Sequence, residues 1–271
     1  MINKLKEFWM FLTEIFAKRQ LIWELAKNDF KAKFAGSFFG VLWGFVLPIV
    51  TICVFWFVFT VMKSPPQDDF PFIVWFVPAY IPWMFFTDCL SNTVGSLYEY
   101  SYLVKKVKFR TSMLPLVKII SIMMVNLFFV GVIFIIMAVF KIPITLYVLQ
   151  IIYYYAALVI FCVGISWFVS SVAVFFKDMS PLVNVVVQLG FWVTPIFWSL
   201  GGSGMPSWIV TIAKLNPIYY ITQGFRESFL YGIGFWQSPV QTLYFWVFTA
   251  IVFVGGAMVF RRLRPHFADV L

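Results

Sequence analysis

Along most of this chain apolar residues do not alternate with polar ones. They run together in long blocks that stop at clusters of charge. Charge-free stretches cover Val41–Met62, Ile119–Phe140, Leu182–Leu200 and Val240–Phe260, and Ile73–Leu97 is interrupted only by Asp88. A further uninterrupted run, Ile142–Phe176, is longer than one crossing requires. About 20 residues suffice for an α-helix to cross a hydrocarbon core roughly 30 Å thick. The pattern therefore predicts six transmembrane helices, near 41–62, 73–97, 119–140, 146–174, 182–200 and 240–260. The fourth should be long or tilted. The fold class is all-α and polytopic, with a single membrane domain over 36–271 behind a leading segment, 1–35.

Three segments follow another pattern. In residues 2–18, Leu5, Phe8, Trp9, Leu12, Ile15 and Phe16 recur at helical spacing, with Asn3, Glu7, Glu14 and Lys18 opposite. Such a helix lies in a membrane interface, as a plain anchor or as a hold on a partner. Between the second and third spans, Leu103, Val104, Val107 and Phe109 are interleaved with Lys105, Lys106, Lys108 and Arg110. That short basic helix suits anionic headgroups and a protein cleft equally. After Gly201–Gly204 come two apolar pieces, Met205–Ala213 and Leu215–Phe225, divided at Asn216-Pro217. Too short to cross and too apolar for water, they predict a re-entrant helical hairpin over about 205–234. It carries Arg226 and Glu227, which as neighbours point to separate partners.

Composition narrows the solvent. Hydrophobic residues make up 62% and charged residues 11%, against about 25% charge in soluble domains. The net charge of +9 would suggest nucleic acid in a soluble protein, but here the basic residues flank apolar runs. Sixteen of the lysines and arginines fall on the side holding residues 1–40, 96–118, Lys177 and the tail, against four on the other. By the positive-inside rule both termini are cytoplasmic, in a bacterial inner membrane. The charged stretch ahead of the first span does not look like a cleaved signal peptide.

Chemistry is sparse. Cys53, Cys89 and Cys162 lie in apolar runs, and His266 is the only histidine, so metal clusters and histidine relays are disfavoured. Asp88 is the one clear ionisable residue inside a span, which is thin machinery for ion coupling. A Gly-Lys phosphate loop, His-Glu-x-x-His and Gly-x-Ser-x-Gly are all missing from the sequence. If the protein pumps, another subunit supplies the energy, and the chain is not an enzyme on its own. Gly36, Gly40 and Gly44 form a small-xxx-small ladder that would let another backbone approach, within the chain or across a dimer. Pro48, Pro78, Pro82 and Pro195 should kink their spans.

At this point a family resemblance enters. Asp29-Phe30-Lys31-Ala32-Lys33-Phe34-Ala35-Gly36-Ser37, followed by Leu42-Trp43 and Leu47-Pro48, resembles the first-span entry of type-2 ABC exporter permeases for polysaccharides and teichoic acids. Leu103–Phe109 with Leu114-Pro115 is similar to that family's cytoplasmic coupling segment. Phe176–Pro181 and Trp192–Phe197 resemble its fifth-span region, and Asn216-Pro217 with Phe225-Arg226 its outer hairpin. The tail Arg264–Leu271 is similar to that of the teichoic-acid branch. Arg110 stands where the family usually has proline, and Lys177 where arginine is common.

The resemblance implies a homodimer with two cytoplasmic ATPase subunits, which bind ATP and Mg, exporting a polyprenyl-pyrophosphate-linked polymer. Wall teichoic acid comes first, O-antigen or capsule next, and small amphiphiles are a further alternative. No cofactor is implied in this chain, and no nucleic acid. It further implies ATPase coupling by Lys105, Lys106, Val107, Lys108, Phe109 and Arg110. Lys31, Lys33 and Arg110 would meet the anionic headgroup. With aromatics at 22%, Trp56, Trp75, Tyr80, Trp83, Phe86, Trp192 and Trp198 are candidates for a polymer path. An interfacial aromatic belt is the competing explanation for each.

Overall fold

A computed structural model describes residues 13, 17–33, 35, 36, 38–62, 70–106, 110–200 and 206–271; the side chain of Lys106 and the remaining residues lie outside it. The described residues form helices and turns only. In chain order the helices are α1 (Arg19–Lys33), α2 (Trp43–Val61), α3 (Phe72–Thr93), α4 (Ser96–Glu99), α5 (Ser101–Lys106) and α6 (Leu114–Val139). There follow α7 (Gln150–Ala173), α8 (Met179–Val193), α9 (Ser207–Leu215), α10 (Pro217–Arg226), α11 (Pro239–Leu263) and α12 (Phe267–Val270). The interface helix expected over residues 2–18 falls almost entirely outside the described residues.

Five helices, α2, α3, α6, α7 and α11, are long and apolar enough to cross a membrane. The expected fifth span, Leu182–Leu200, is helical only to Val193, in the 15 residues of α8. At 1.5 Å per residue that is about 22 Å, short of a core about 30 Å thick. Pro195 is the cause: the residue before a proline is driven out of the helical region, and Thr194 is extended at φ −76°, ψ 127°. Two other boundaries move. The second long helix stops at Thr93, before a turn at Val94 and Gly95, and the third starts at Leu114, which puts Lys118 inside it.

The ends of the bundle are set by contacts. At one end α1 and α4 pack on α6, α4 also meets α7 and α5, and α12 packs on α5. Tyr98 there donates a hydrogen bond to the Val174 carbonyl at 2.9 Å. Most of the basic residues cluster here, so we term it the basic end. At the other end the α9–α10 hairpin meets the starts of α3, α7 and α11. Gln150 donates to the Ile233 carbonyl at 2.9 Å, and the Tyr220 and Thr242 hydroxyls lie 3.0 Å apart.

Helix α3 is the axis of the core. Of its apolar window 83% is buried, against 6% for α2, so α2 leaves much of its surface for lipid or another chain. Five neighbours, α2, α6, α7, α8 and α10, pack around α3. The tightest crossing joins α7 to α11: a Cβ on Gly256 would stand 2.1 Å from the Gly164 carbonyl oxygen. Of the glycine ladder expected at the first span, Gly36 and Gly40 meet no other backbone among the described residues. They take φ of +85° and +51°, and no described residue beyond their chain neighbours lies within 4 Å of where a Cβ would be. They serve the left-handed turns between α1 and α2.

Candidate translocation path and coupling face

One stripe of α3 stays accessible. Tyr80, Thr87, Asp88 and Ser91 fall on a single helical face and are partly or fully exposed, while the rest of the helix is largely buried. At Tyr80 the stripe meets α2, whose Phe55 ring lies 6.3 Å away, and both α2 and α8 pack on α3. Towards the hairpin end it runs into an aromatic seam. Phe55 of α2 lies 5.6 Å from Phe76 and 5.7 Å from Phe191, and Phe76 stacks on Tyr80 at 5.1 Å. Offset and tilted rings at such distances attract one another, so the seam ties α2, α3 and α8 together. Asp88 stands 16 residues beyond the start of α3, about 24 Å along its axis, towards the basic end and within range of the Lys33 charge. Near a membrane boundary its insertion penalty falls well below the mid-bilayer value.

The seven candidate path aromatics divide. Trp56 and Trp192 are exposed, and Tyr80 and Trp198 are half-buried. Trp75, Trp83 and Phe86 are buried inside the chain. Trp83 sits against Gly190 of α8, Phe86 stacks on Phe161 of α7 at 5.9 Å, and Trp75 lies under Arg226. Trp198 donates to the Trp192 carbonyl at 3.1 Å, which orients one side of the break after α8.

At the basic end Lys31 and Lys33 are exposed in the last turn of α1, where cations suit a helix C-terminus. Lys105 is exposed on α5, and Arg110 is half-buried with extended backbone leading into α6. Val107, Lys108 and Phe109 lie outside the described residues, as does the Lys106 side chain. The neighbouring cluster was not foreseen. Lys118, 7% exposed, forms ion pairs with Asp29 of α1 at 2.5 Å and with Glu99 of α4. Tyr100 donates to Asp29 at 2.8 Å. Burial, and then the bond to Asp29, raise the Tyr100 hydroxyl above the usual tyrosine range. The cluster joins α1 and α6 to the residues immediately before α5. A lysine four residues into an apolar helix was the available signal, hidden because it also reads as a flanking topology charge.

At the hairpin end Asn216 caps α10, accepting from the Ile218 amide at 3.0 Å, with Pro217 in the first turn. Its amide nitrogen donates to Thr194 Oγ1 at 2.7 Å, at the break after α8. Arg226, 2% exposed, donates to the Trp75, Pro195 and Ile196 carbonyls at 3.2, 3.2 and 2.9 Å. Its guanidinium carbon stands 3.5 Å from the Trp75 ring centroid. The broken helix is thus held by two residues of the hairpin. Arg226 thus has partners of its own, as expected, and shares one more with Glu227: Gln223 accepts from Arg226 at 3.1 Å and donates to Glu227 at 3.0 Å.

Comparison with known proteins follows this geometry. The ABC-2 type transporter family, as a sequence model, matches residues 20–230. Two proteins described as "O-antigen export system permease protein RfbA" from Klebsiella pneumoniae are 26% and 27% identical, over 91% of this chain and 93% of theirs. A protein of the same description from Myxococcus xanthus is 23% identical over 94% of this chain and 97% of its own.

Proposed function

This chain belongs to the ABC-2 type transporter family, and we propose that it is the permease subunit that moves a lipid-linked cell-envelope polysaccharide across the cytoplasmic membrane. The observation carrying the proposal is the accessible stripe of α3, flanked at Tyr80 by Phe55 of α2. A second copy, facing α2 and α8, closes that stripe into a path. Leu182, Val185, Val186, Leu189 and Trp192 leave an exposed apolar face on α8, suited to lipid or to that copy. Along the path, Tyr80 and the exposed Trp56 and Trp192 offer flat contacts that hold a sugar polymer without locking one register. Lys31, Lys33 and Arg110 receive its anionic headgroup at the basic end.

Six passes complete the proposed topology, α8 crossing with the help of the non-helical 194–200 segment, of which residues 194–196 are buried within the protein. The α9–α10 hairpin is re-entrant from the outside. The excess of lysine and arginine puts the basic end, with both termini, in the cytoplasm. A separate pair of ATPase subunits docks on α5 and the residues up to Arg110. Motion of α5 reaches α1 and α6 through Glu99, Tyr100, Asp29 and Lys118.

The relatives that match are named for O-antigen export, so an O-antigen-type polysaccharide is the first substrate reading. The tail Arg264–Leu271, which resembles the teichoic-acid branch, keeps wall teichoic acid as the second. Deletion of the gene, with complementation and surface-polymer analysis, tests the reading. Loss of one surface glycan with accumulation of its lipid-linked form inside is expected, and the polymer lost decides between the two substrates. Unchanged surface polymers, or purification from the native host without an ATPase subunit, would overturn the proposal. A disulfide between copies carrying Leu189→Cys tests the facing of α8.

A further inference from the structure

A cavity of about 270 Å³ opens beside the hairpin, away from the α3 stripe, lined by Trp75, Pro195, Tyr219, Gln223, Arg226 and Ile233, with Ser199, Leu200 and Tyr231 completing its wall. We propose that this cavity is a binding site for a single saccharide ring on the outer side of the protein. The proposal deepens the polysaccharide reading and rests on it for the source of the sugar: a unit of the emerging polymer.

Three features select the ligand. Size comes first. The volume lies just below the roughly 300 Å³ at which small-molecule pockets begin, room for one ring and too little for a lipid chain or an oligosaccharide. The second is the unused hydrogen-bonding capacity. Arg226 has five N–H donors, and four are spent on the Trp75, Pro195 and Ile196 carbonyls and on Gln223. Gln223 uses one of its two N–H groups on Glu227, and one of its carbonyl lone pairs accepts from Arg226. Among the described residues, two donors and one acceptor are left over, close together, a set that fits neighbouring hydroxyls. Arginine–phosphate contacts are frequently bidentate, and Arg226 has only one N–H left, so that mode is closed to it here. The third is the wall itself. Tyr219 and Trp75 supply aromatic surface, and Pro195 and Ile233 apolar surface, for the C–H face of a ring.

The pocket is also placed to matter. Its floor is Arg226, which holds the break after α8, so a bound sugar touches the same residues that fix the outer end of the path.

The test uses the full-length permease in nanodiscs without its ATPase, with D-mannose, D-galactose and N-acetylglucosamine as separate probes in saturation-transfer NMR. Saturable transfer to the ring protons of at least one sugar is expected. Gln223→Leu should weaken it by about tenfold, the loss expected from one or two neutral hydrogen bonds. Ile233→Trp, which fills the cavity, should abolish it, and Trp208→Ala, at an exposed position on α9, should leave it unchanged. Monodisperse size-exclusion profiles and unchanged thermal melts establish that the variants are folded. If Ile233→Trp misfolds, Leu200→Phe takes its place as the blocking variant. Absence of transfer with all three sugars, equal transfer in all variants, or displacement by inorganic pyrophosphate but not by excess sugar would each overturn the inference. Loss of a surface glycan on gene deletion, together with absent sugar binding, would sink this site and leave the exporter reading standing.

Discussion

Replacing Lys118 by methionine should loosen α1 from the bundle, and the size of the effect follows from where its two partners sit. Asp29 has a side-chain exposure of 9%, the same as Lys118, whereas that of Glu99 is 57%. Breaking a buried ion pair by removing one member costs about 3–5 kcal/mol, because a charge is left without compensation. An exposed pair contributes about 0–1 kcal/mol. Nearly all of the effect therefore belongs to Asp29, which would keep only its bond from Tyr100. A loss of about 3 kcal/mol corresponds to roughly a hundredfold, each 1.4 kcal/mol being tenfold. Amide hydrogen exchange over residues 19–33, in nanodiscs, reads local opening of α1 directly. Lys118→Met should lower protection there by about a hundredfold, and Glu99→Gln by less than about fivefold. The double variant Asp29→Asn/Lys118→Met should recover part of the loss, since no buried charge remains. Equal effects of Lys118→Met and Glu99→Gln, or a double variant as damaged as the sum of the singles, would refute the assignment of the energy to Asp29.

Other outcomes follow from the same contacts. Gly256→Ala puts a Cβ 2.1 Å from a backbone oxygen of α7; because backbone cannot swing aside, a loss of at least about 3 kcal/mol is expected, seen as a lower melting temperature and reduced membrane yield. Arg226→Met strands the Pro195 and Ile196 carbonyls, each costing about 1–3 kcal/mol if no water replaces the guanidinium; cysteine accessibility at Ser199→Cys should rise. Asn216→Ala removes a helix cap and the bond to Thr194, so about 1 kcal/mol should appear as faster exchange in the first turn of α10. The raised hydroxyl of Tyr100 binds its proton more tightly in the folded state. Its contribution is fully present below the ordinary tyrosine value of 10.0 and fades as the pH climbs above it. Protection of α1 should hold from pH 6 to 9 and fall in Tyr100-containing protein, but not in Tyr100→Phe, beyond about pH 10.

Hydrophobic run length and charge placement settled by themselves that this chain is helical and built for lipid. Both are local properties, and a helix in a bilayer satisfies its own backbone whatever its neighbours do. The break after α8 was equally legible, because Pro195 acts on Thr194 through the chain alone, although a count of apolar residues ran through it to Leu200. The Asn216-Pro217 start of α10 is of the same kind. What only the tertiary structure decided depends on residues far apart in sequence. Asp29, Glu99 and Lys118 look like ordinary flanking charges until α1 is laid against α6. Arg226 gains its meaning from carbonyls 30 and 151 positions away. The aromatics show the limit most clearly: Trp56 and Trp75 read alike in an apolar run, yet one is left exposed and the other lies beneath a guanidinium. Exposure in a membrane bundle is set by which helices surround which. Lipid and protein interiors are alike apolar, so no hydropathy pattern marks the difference.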